Sequence, residues 1–274
     1  MVNDVDRNAA IEAAIASLDL HGKTVFEIGT GSGLVALLFA KYGARHVYTC
    51  EANPTMAGIA ARTVAKTPYA RRITIVPMTS TEMLDRDLLP VLPDVIFTET
   101  LDTAVLGEGF VTIAGDISRV ARPDTLILPE SIRQYCMPIE SELIDGMNRV
   151  DQACGFDVSA MNDYATFNFF SVQSQVFPMR QLARAAEIRR YSYRDTEPPA
   201  LTPFAVTQPG TLHGFLSWFE ADFAGRLVTT APGRRSHWKQ AFHPLAEPLG
   251  VAIGTLLNVL FDDYGQAMVT RPEG

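Results

Sequence analysis

The stretch Glu27-Ile-Gly-Thr-Gly-Ser-Gly33 decides the fold of this chain. A short apolar run at residues 23–28 leads into it, and an apolar run of helical character at residues 34–42 follows and stops at Gly43. Glycines let the backbone turn sharply and approach a ligand closely, and the first amide groups of a helix are free to bind one. The stretch therefore predicts a ligand-binding turn between a buried strand and a helix.

Strands and helices continue to alternate through residues 20–129. A second strand is predicted at residues 46–50, and Asn53-Pro54 is typical of the start of a helix that runs to residue 65. Later elements are predicted at residues 73–76, 94–98 and 125–128 as strands, and at residues 109–120 as a helix. The alternation indicates a parallel, doubly wound sheet, so residues 1–129 are predicted to form a Rossmann-like α/β domain.

The sequence changes character after Pro129. Apolar and polar residues alternate at residues 132–139 and 212–219, which predicts a second, mainly antiparallel β domain over residues 130–274. Residues 140–193 between these strands have helical character, and we interpret the arginines there as a solvated helix face. With the one that directly follows the segment, these arginines are Arg180, Arg184, Arg189, Arg190 and Arg194.

Composition narrows the class of protein. The chain has 274 residues, of which 47% are hydrophobic and 20% charged, as in ordinary globular proteins. Its apolar stretches are shorter than the roughly 20 residues of a membrane span and its N-terminus has no leader pattern, so we expect a cytoplasmic protein without a membrane partner. Three cysteines without a C-x-x-C pair argue against a metal site, and the net charge of -8 disfavours nucleic acid as a partner.

The glycine spacing separates two cofactor classes. A dinucleotide-binding turn needs the pattern G-x-G-x-x-G, which would require a glycine where Leu34 stands, so NAD fits poorly. The pattern E-x-G-x-G-x-G instead resembles motif I of S-adenosylmethionine-dependent methyltransferases. Glu51, which ends the second predicted strand, stands where that fold places an acidic residue for the ribose hydroxyls. The alternative is a purely structural turn followed by an ordinary strand-end carboxylate.

Two carboxylates follow the fourth predicted strand. Because the carboxyl ends of parallel strands face the ligand crevice, Glu99 should point at the site, and the return of the loop can bring Glu108 beside it. Two close carboxylates stay ionised only with a cation between them, and a guanidinium is the natural partner for such a pair. The sequence therefore predicts a guanidinium clamp, with two surface charges on a loop as the alternative.

These residues resemble a known family. The loop from Glu99 to Glu108 and the stretch Ser236-His-Trp-Lys-Gln240 resemble the double-glutamate loop and the Thr-His-Trp loop of protein arginine N-methyltransferases, and the likeness extends from Asp4 to about Pro248. The pattern T-E-x-x-D-T-x-x-x-G-E-G looks closest to the monomethylating, type III branch. The resemblance implies transfer of a methyl group from S-adenosylmethionine to a terminal guanidino nitrogen of an arginine-containing substrate, which can be a protein, a peptide or free arginine.

The resemblance also implies roles for individual residues. Glu99 and Glu108 would clamp the guanidinium, His237 would be catalytic and paired with Asp4, and Trp238 would line the arginine channel. Asp4 and Trp238 are thus expected on the substrate side. The expected cofactor-binding residues, among which Thr81 and Glu82 would hold the adenine and Arg7 the cofactor carboxylate, are Arg7, Glu27, Gly29, Gly31, Gly33, Glu51, Thr81 and Glu82.

At the level of architecture, the resemblance implies a class I methyltransferase domain followed by a β-barrel-like domain with a helical dimerisation arm inserted at about residues 140–193, and hence a homodimer. Only three residues precede Asp4, so the family's Tyr-Phe-x-x-Tyr helix has no counterpart here and we expect a less covered cofactor site and a small substrate. Two alternatives are a methyltransferase of another small amine and a catalytically silent, cofactor-binding assembly subunit.

Overall fold

A parallel sheet forms the first half of the chain in the computed structural model, which describes residues 1–234 and 236–270. The elements are α1 (Val5–Ala16), β1 (Thr24–Ile28), α2 (Leu34–Lys41), β2 (His46–Cys50), α3 (Pro54–Ala65), β3 (Ile73–Val76), α4 (Ser80–Asp85), β4 (Val95–Thr98), α5 (Phe110–Val120) and β5 (Leu126–Leu128), with a short 3-10 helix at Ala70–Arg72. The strand order is β3-β2-β1-β4-β5 and every pair is parallel. The predicted Rossmann-like fold is confirmed.

The predicted boundaries agree closely with these elements. The strand at residues 46–50 and the helix at residues 54–65 match, because Asn53 caps α3 by accepting hydrogen bonds from the backbone of Thr55 and Met56. Helix α4 was not predicted from the sequence. Thr79 and Glu82 form a reciprocal capping box at its start, which is a signal that the sequence carries.

The second half is antiparallel. Its elements are β6 (Ser131–Glu140), α6 (Glu142–Asp145), β7 (Gln152–Ala153), β8 (Phe156–Asp157), β9 (Phe170–Val172), β10 (Arg180–Gln181), β11 (Ala186–Tyr191), β12 (Thr202–Ala205), β13 (Gly210–Phe223), β14 (Arg226–Thr229), β15 (Gln240–Val251), β16 (Leu256–Phe261) and β17 (Ala267–Thr270). One sheet has the order β10-β6-β13-β15-β9, with β11 on β6 and β14 on β13, and a second has the order β12-β16-β17. The predicted antiparallel β domain is confirmed, and the described strands form separate sheets instead of one closed barrel.

The helical character predicted for residues 140–193 is wrong over most of that segment. It contains the four residues of α6 and a 3-10 helix at Ser159–Tyr164, and the rest is strand or irregular chain. Arg180 lies in β10 and bonds the carboxylate of Glu140 at 2.6 Å, and Arg189 lies in β11 and bonds Asp263 at 2.6 Å. The arginines of these two strands therefore do not form a helix face. Their charged side chains hid the alternation of apolar and polar residues that is typical of a strand.

An apolar core joins the two halves. Phe97 of β4 stacks on Phe223 of β13 with ring centroids 5.5 Å apart, and Phe110 at the start of α5 stacks on Tyr193 at 4.4 Å. All four side chains belong to one buried cluster. The loop between β4 and α5, which carries Glu99 and Glu108, is thus held between the parallel and the antiparallel sheets. Among the described helices, none combines the length and apolar character that crossing a membrane requires.

Candidate active site

A cavity of about 490 Å³ opens beside the glycine-rich turn after β1 and the turns after β2, β3 and β4. Its volume lies in the range of small-molecule sites. The structure brings most of the predicted site residues together in its lining: Arg7, Glu27, Gly29, Gly31, Glu51, Thr81, Glu99 and Glu108. The crevice at the carboxyl ends of the parallel strands is therefore the candidate active site.

The glycine turn has the backbone that its sequence suggests. Gly29, Gly31 and Gly33 have positive φ angles of 91°, 51° and 82°, which side chains rarely permit. The amide of Gly31 donates to one oxygen of Glu51 at 2.8 Å, and the amide of Asn53 donates to the other oxygen at 3.0 Å. A carboxylate has about four lone-pair positions, so Glu51 can fix the turn and still accept hydrogen bonds from a ligand.

Glu27 is a buried carboxyl group at the floor of the cavity. Its side chain is 1% exposed, and its Oε2 atom has no hydrogen-bond partner among the described residues. Burial raises the pKa of Glu27 to about 8, although the Thr49 hydroxyl and the charge of Arg7 act in the opposite direction. A buried polar atom without a partner is rare in a folded protein and indicates a place where a bound ligand can donate a hydrogen bond.

The charge of Glu99 is held by Arg7. Both residues are buried, at 9% and 6% exposure, and the two side chains meet in a bidentate ion pair in which Nε of Arg7 donates to Oε1 at 2.7 Å and Nη2 contacts Oε2. Nη1 of Arg7 also donates to the side chain of Asn8 at 2.7 Å. Because a guanidinium has five N–H donors, Arg7 keeps donors for a ligand carboxylate while it holds Glu99.

Glu108 faces the same cavity from the other end of the loop. Its side chain is open to solvent on one side, while desolvation by the surrounding cavity wall and the nearby charge of Asp102 raise its pKa. The loop backbone is constrained: Val105 is fully buried with a φ of 81°, and a side chain on Gly107 would meet the carboxylate of Asp102 at 2.1 Å. The two glutamates therefore differ, since one is buried and paired with Arg7 and the other is open to the cavity.

Asp4 and His237 make the predicted contact. One oxygen of Asp4 accepts the backbone N–H of Arg7 at 3.1 Å, and the other accepts the backbone N–H of His237 at 2.8 Å and its ring Nδ1 at 2.9 Å. Burial alone would raise the pKa of Asp4, but these hydrogen bonds lower it. Asp4 thereby caps α1 and ties the start of the chain to the loop before β15.

His237 and Trp238 lie behind the loop and do not line the main cavity. The indole N–H of Trp238 donates to the carbonyl of Leu101 at 2.8 Å. The His237 ring packs on the indole, with ring centroids 3.8 Å apart. Burial lowers the pKa of His237 although Asp4 favours its charged form, and its Nε2 atom has no partner among the described residues. Their predicted catalytic and channel roles stay predictions.

The turn after β3 differs from the sequence expectation. Thr81 lines the cavity, but the exposed carboxylate of Glu82 accepts from the backbone and hydroxyl of Thr79 at 3.0 Å. Its role at the adenine stays a prediction. Sequence reasoning also missed Ser80 and Asp116. The local sequence shows Asp116 only as a charged residue beside the apolar stripe of α5, and its burial, at 3% exposure, follows from the tertiary fold.

The buried state of Glu27 predicts how stability depends on pH. Its pKa rises from 4.5 to about 8 on folding, so its contribution is complete below pH 4.5 and is lost as the pH rises toward 8. We therefore compare the unfolding free energies of Glu27→Gln and the wild type, measured in urea. The difference, variant minus wild type, should increase steadily from pH 5 to pH 8. Glu130→Gln, at an exposed site, should show no such trend. A difference for Glu27→Gln that does not change with pH would contradict this assignment.

Comparison with known proteins identifies the family of the chain. A family model described as the arginine methyltransferase oligomerization subdomain matches residues 132–262. An arginine N(omega)-methyltransferase of Streptomyces achromogenes subsp. streptozoticus is 35% identical over 265 residues, which cover 94% of this chain and 73% of that protein. Protein arginine N-methyltransferase 7 of Caenorhabditis briggsae is 26% identical over 80% of this chain, which spans 36% of that protein.

Solved structures show the same fold. The Trypanosoma brucei PRMT1 enzyme-prozyme heterotetrameric complex with AdoHcy superposes with a TM-score of 0.83 at 19% identity, covering all of this chain and 92% of that chain. Arabidopsis thaliana protein arginine methyltransferase 10 superposes with a TM-score of 0.77 at 23% identity, covering 95% of this chain and 85% of that one. Together with the sequence matches, these findings lead to one conclusion: the chain belongs to the arginine N-methyltransferase family of enzymes.

Proposed function

We propose that this chain transfers one methyl group from S-adenosylmethionine to a terminal guanidino nitrogen of arginine. The observation that carries the proposal is that Glu99 and Glu108 line one cavity together with the glycine turn and Glu51. Methyl transfer to the family's substrate needs a cation-binding pair next to a nucleoside-binding crevice. The two loop glutamates suit the first task, and the glycine turn with Glu51 suits the second.

The cavity suits S-adenosylmethionine in three respects. Glu27 has a buried oxygen without a partner, which suits the ammonium group of the cofactor; Arg7 keeps N–H donors for its carboxylate; and Glu51 keeps lone pairs for its ribose hydroxyls. When bound, the cofactor supplies a methyl group on a sulfonium that is already activated for displacement. The chain therefore needs to position the acceptor and stabilise charge, and little acid catalysis is required.

The unequal glutamates give the chain a way to activate a guanidinium. Part of the charge of Glu99 is already compensated by Arg7, whereas Glu108 has no cationic partner among the described residues. An acceptor guanidinium between them would concentrate its positive charge toward Glu108, which leaves more electron density on the nitrogen farther from that carboxylate. The proton of the methylated nitrogen becomes acidic as the new bond forms. That proton leaves late, to solvent, so the step needs no dedicated base.

The resemblance of the loop to the type III branch supports a product that carries a single methyl group. One relative is named an arginine N(omega)-methyltransferase and the other a protein arginine N-methyltransferase. We therefore include free arginine beside peptides and proteins as acceptor. Another small amine remains the alternative acceptor, and mass spectrometry of the product separates the two.

A silent subunit is the second candidate, because the Trypanosoma brucei complex pairs an enzyme with a prozyme. Against this candidate, the chain keeps both loop glutamates, the Arg7 ion pair and the contact between Asp4 and His237. A subunit without catalysis has no need for an open carboxylate such as Glu108 beside the cavity. The observed arrangement therefore favours an active enzyme.

The central test is turnover with labelled S-adenosylmethionine and free arginine, an arginine-rich peptide and a mixed protein fraction as acceptors. We expect ω-N-monomethylarginine from at least one of them. Glu108→Gln should lower turnover about 100-fold or more, because removing one preorganised charge typically costs that much, and should keep cofactor affinity. Glu99→Gln should lower turnover similarly and weaken cofactor binding, because Arg7 loses its partner.

Glu130→Gln, an exposed change outside the cavity, is the matched control and should keep full turnover. The proposal fails if the wild type yields no methylarginine from any of the three acceptors. Dimethylarginine as the main product would contradict the monomethyl assignment alone. Full turnover by Glu108→Gln would remove that residue from the mechanism.

We also infer that the chain forms a homodimer through residues 143–176. The family model that matches the second half describes an oligomerization subdomain. Large apolar side chains are exposed along this segment, among them Tyr164 at 86% and Phe156 at 72%. The full set is Leu143, Met147, Val150, Phe156, Met161, Tyr164, Phe167 and Val176. Exposed apolar surface of this kind marks protein interaction sites.

Sedimentation analysis tests the dimer. At micromolar concentration we expect the wild type to sediment as a dimer and the variant Phe156→Ser with Tyr164→Ser to sediment mainly as a monomer, since it removes two large apolar side chains from the interface. Tyr264→Ser, which changes an equally exposed side chain outside the segment, should remain dimeric. A monomeric wild type, or an unchanged double variant, would contradict the inference.

A further inference from the structure

With S-adenosylmethionine as the cofactor, on which this inference rests as part of the proposed function, one end of the cavity is left for the base. The methyl group must lie beside Glu99 after β4, and the strand order places β3 three strand spacings away, roughly 14 Å. The turn after β3 and the first turn of α5 line that end, through Met78, Thr79, Ser80, Thr81, Thr112 and Ile113. With the ribose at Glu51 after β2, the base belongs at this end.

A buried carboxylate lies directly behind this lining. Oδ2 of Asp116 accepts hydrogen bonds from the hydroxyl of Ser80 at 2.6 Å and from the hydroxyl of Thr81 at 2.8 Å. Asp116 is 3% exposed and does not itself line the cavity. Its other oxygen lies 3.5 Å from Nη1 of Arg119, which also pairs with Asp85 at 2.8 Å. The carboxylate is therefore held in place from two sides.

This arrangement fixes the direction of both hydroxyl groups. An ionised carboxylate can only accept hydrogen bonds, so Ser80 and Thr81 must both donate their single O–H hydrogen to Asp116. Each hydroxyl oxygen then has only lone pairs left for a ligand. A base with an amino group at this position can donate a hydrogen bond to these oxygens and binds more tightly. A base with a carbonyl oxygen there binds more weakly, because two acceptors that face each other both remain unsatisfied.

We propose that Asp116 makes this chain selective for a 6-aminopurine, because it holds the hydroxyls of Ser80 and Thr81 as acceptors toward the amino group of the base. Asp116 acts through these two residues and is a positioning residue. It lies on α5, whose first residue is two positions after Glu108, so the helix that carries the loop glutamate at one end also organises the base site.

Binding measurements with two cofactor products test this proposal without turnover. Calorimetry on the full chain compares S-adenosylhomocysteine with S-inosylhomocysteine, in which the amino group is replaced by a carbonyl oxygen. We expect the wild type to bind the adenosyl compound about 10- to 100-fold more tightly. Asp116→Asn has an amide that can donate to Ser80 and Thr81, which frees their O–H groups to face the cavity. Its preference should fall to near unity, with a gain in affinity for the inosyl compound.

That gain is the diagnostic result, because a purely structural role for Asp116 would weaken both ligands together. Asp85→Asn, which touches the same Arg119 but neither hydroxyl, should keep the wild-type preference. Thr81→Val, which leaves Asp116 in place and removes one acceptor, should reduce the preference even if Asp116→Asn does not fold.

Two results overturn the proposal while the proposed function stands: equal affinity of the wild type for both compounds, or an unchanged preference in Asp116→Asn. A wild type that binds neither compound overturns both the base-site proposal and the assignment of S-adenosylmethionine as cofactor. Binding of the adenosyl compound alone, with methylarginine produced, supports both.

Discussion

The buried ion pair between Arg7 and Glu99 is the interaction on which the site depends. Both charges are withdrawn from water, and removing one partner from such a pair leaves an uncompensated charge that is strongly destabilising. The pair persists because the guanidinium and the carboxylate meet in a bidentate geometry, and because the side chain of Asn8 accepts a further hydrogen bond from Arg7. It fixes α1 over the cavity, and it makes Glu99 electrostatically different from Glu108.

The same region joins the two halves of the chain. Asp4 bonds His237, Trp238 bonds the carbonyl of Leu101, and the hydroxyl of Thr103 bonds that of Ser171 at 3.1 Å. Each of these contacts joins the first half, at α1 or the double-glutamate loop, to the antiparallel half. A loop that has to hold two carboxylates in a defined arrangement is thus supported from both sides, as a preorganised charge-stabilising site requires.

Much of this could be predicted from local signals. Each of three features encodes one local structure: the glycines of the turn, the Asn53-Pro54 helix start and the acidic residue after β2. The contact between Asp4 and His237 followed from the family resemblance. The Arg7 ion pair and the role of Asp116 could not be predicted, because they depend on side chains that the tertiary fold brings together. The strands within residues 140–193 could not be predicted, since charged residues around Arg180 and Arg189 hide the alternation of apolar and polar residues.

The most direct test of the central claim is a crystal structure with S-adenosylhomocysteine and arginine bound. The account predicts that the arginine guanidinium lies between Glu99 and Glu108, bonded to both carboxylates, while Arg7 remains on Glu99 and also contacts the cofactor carboxylate. An arginine bound elsewhere, or one that enters only by displacing Arg7 from Glu99, would contradict it.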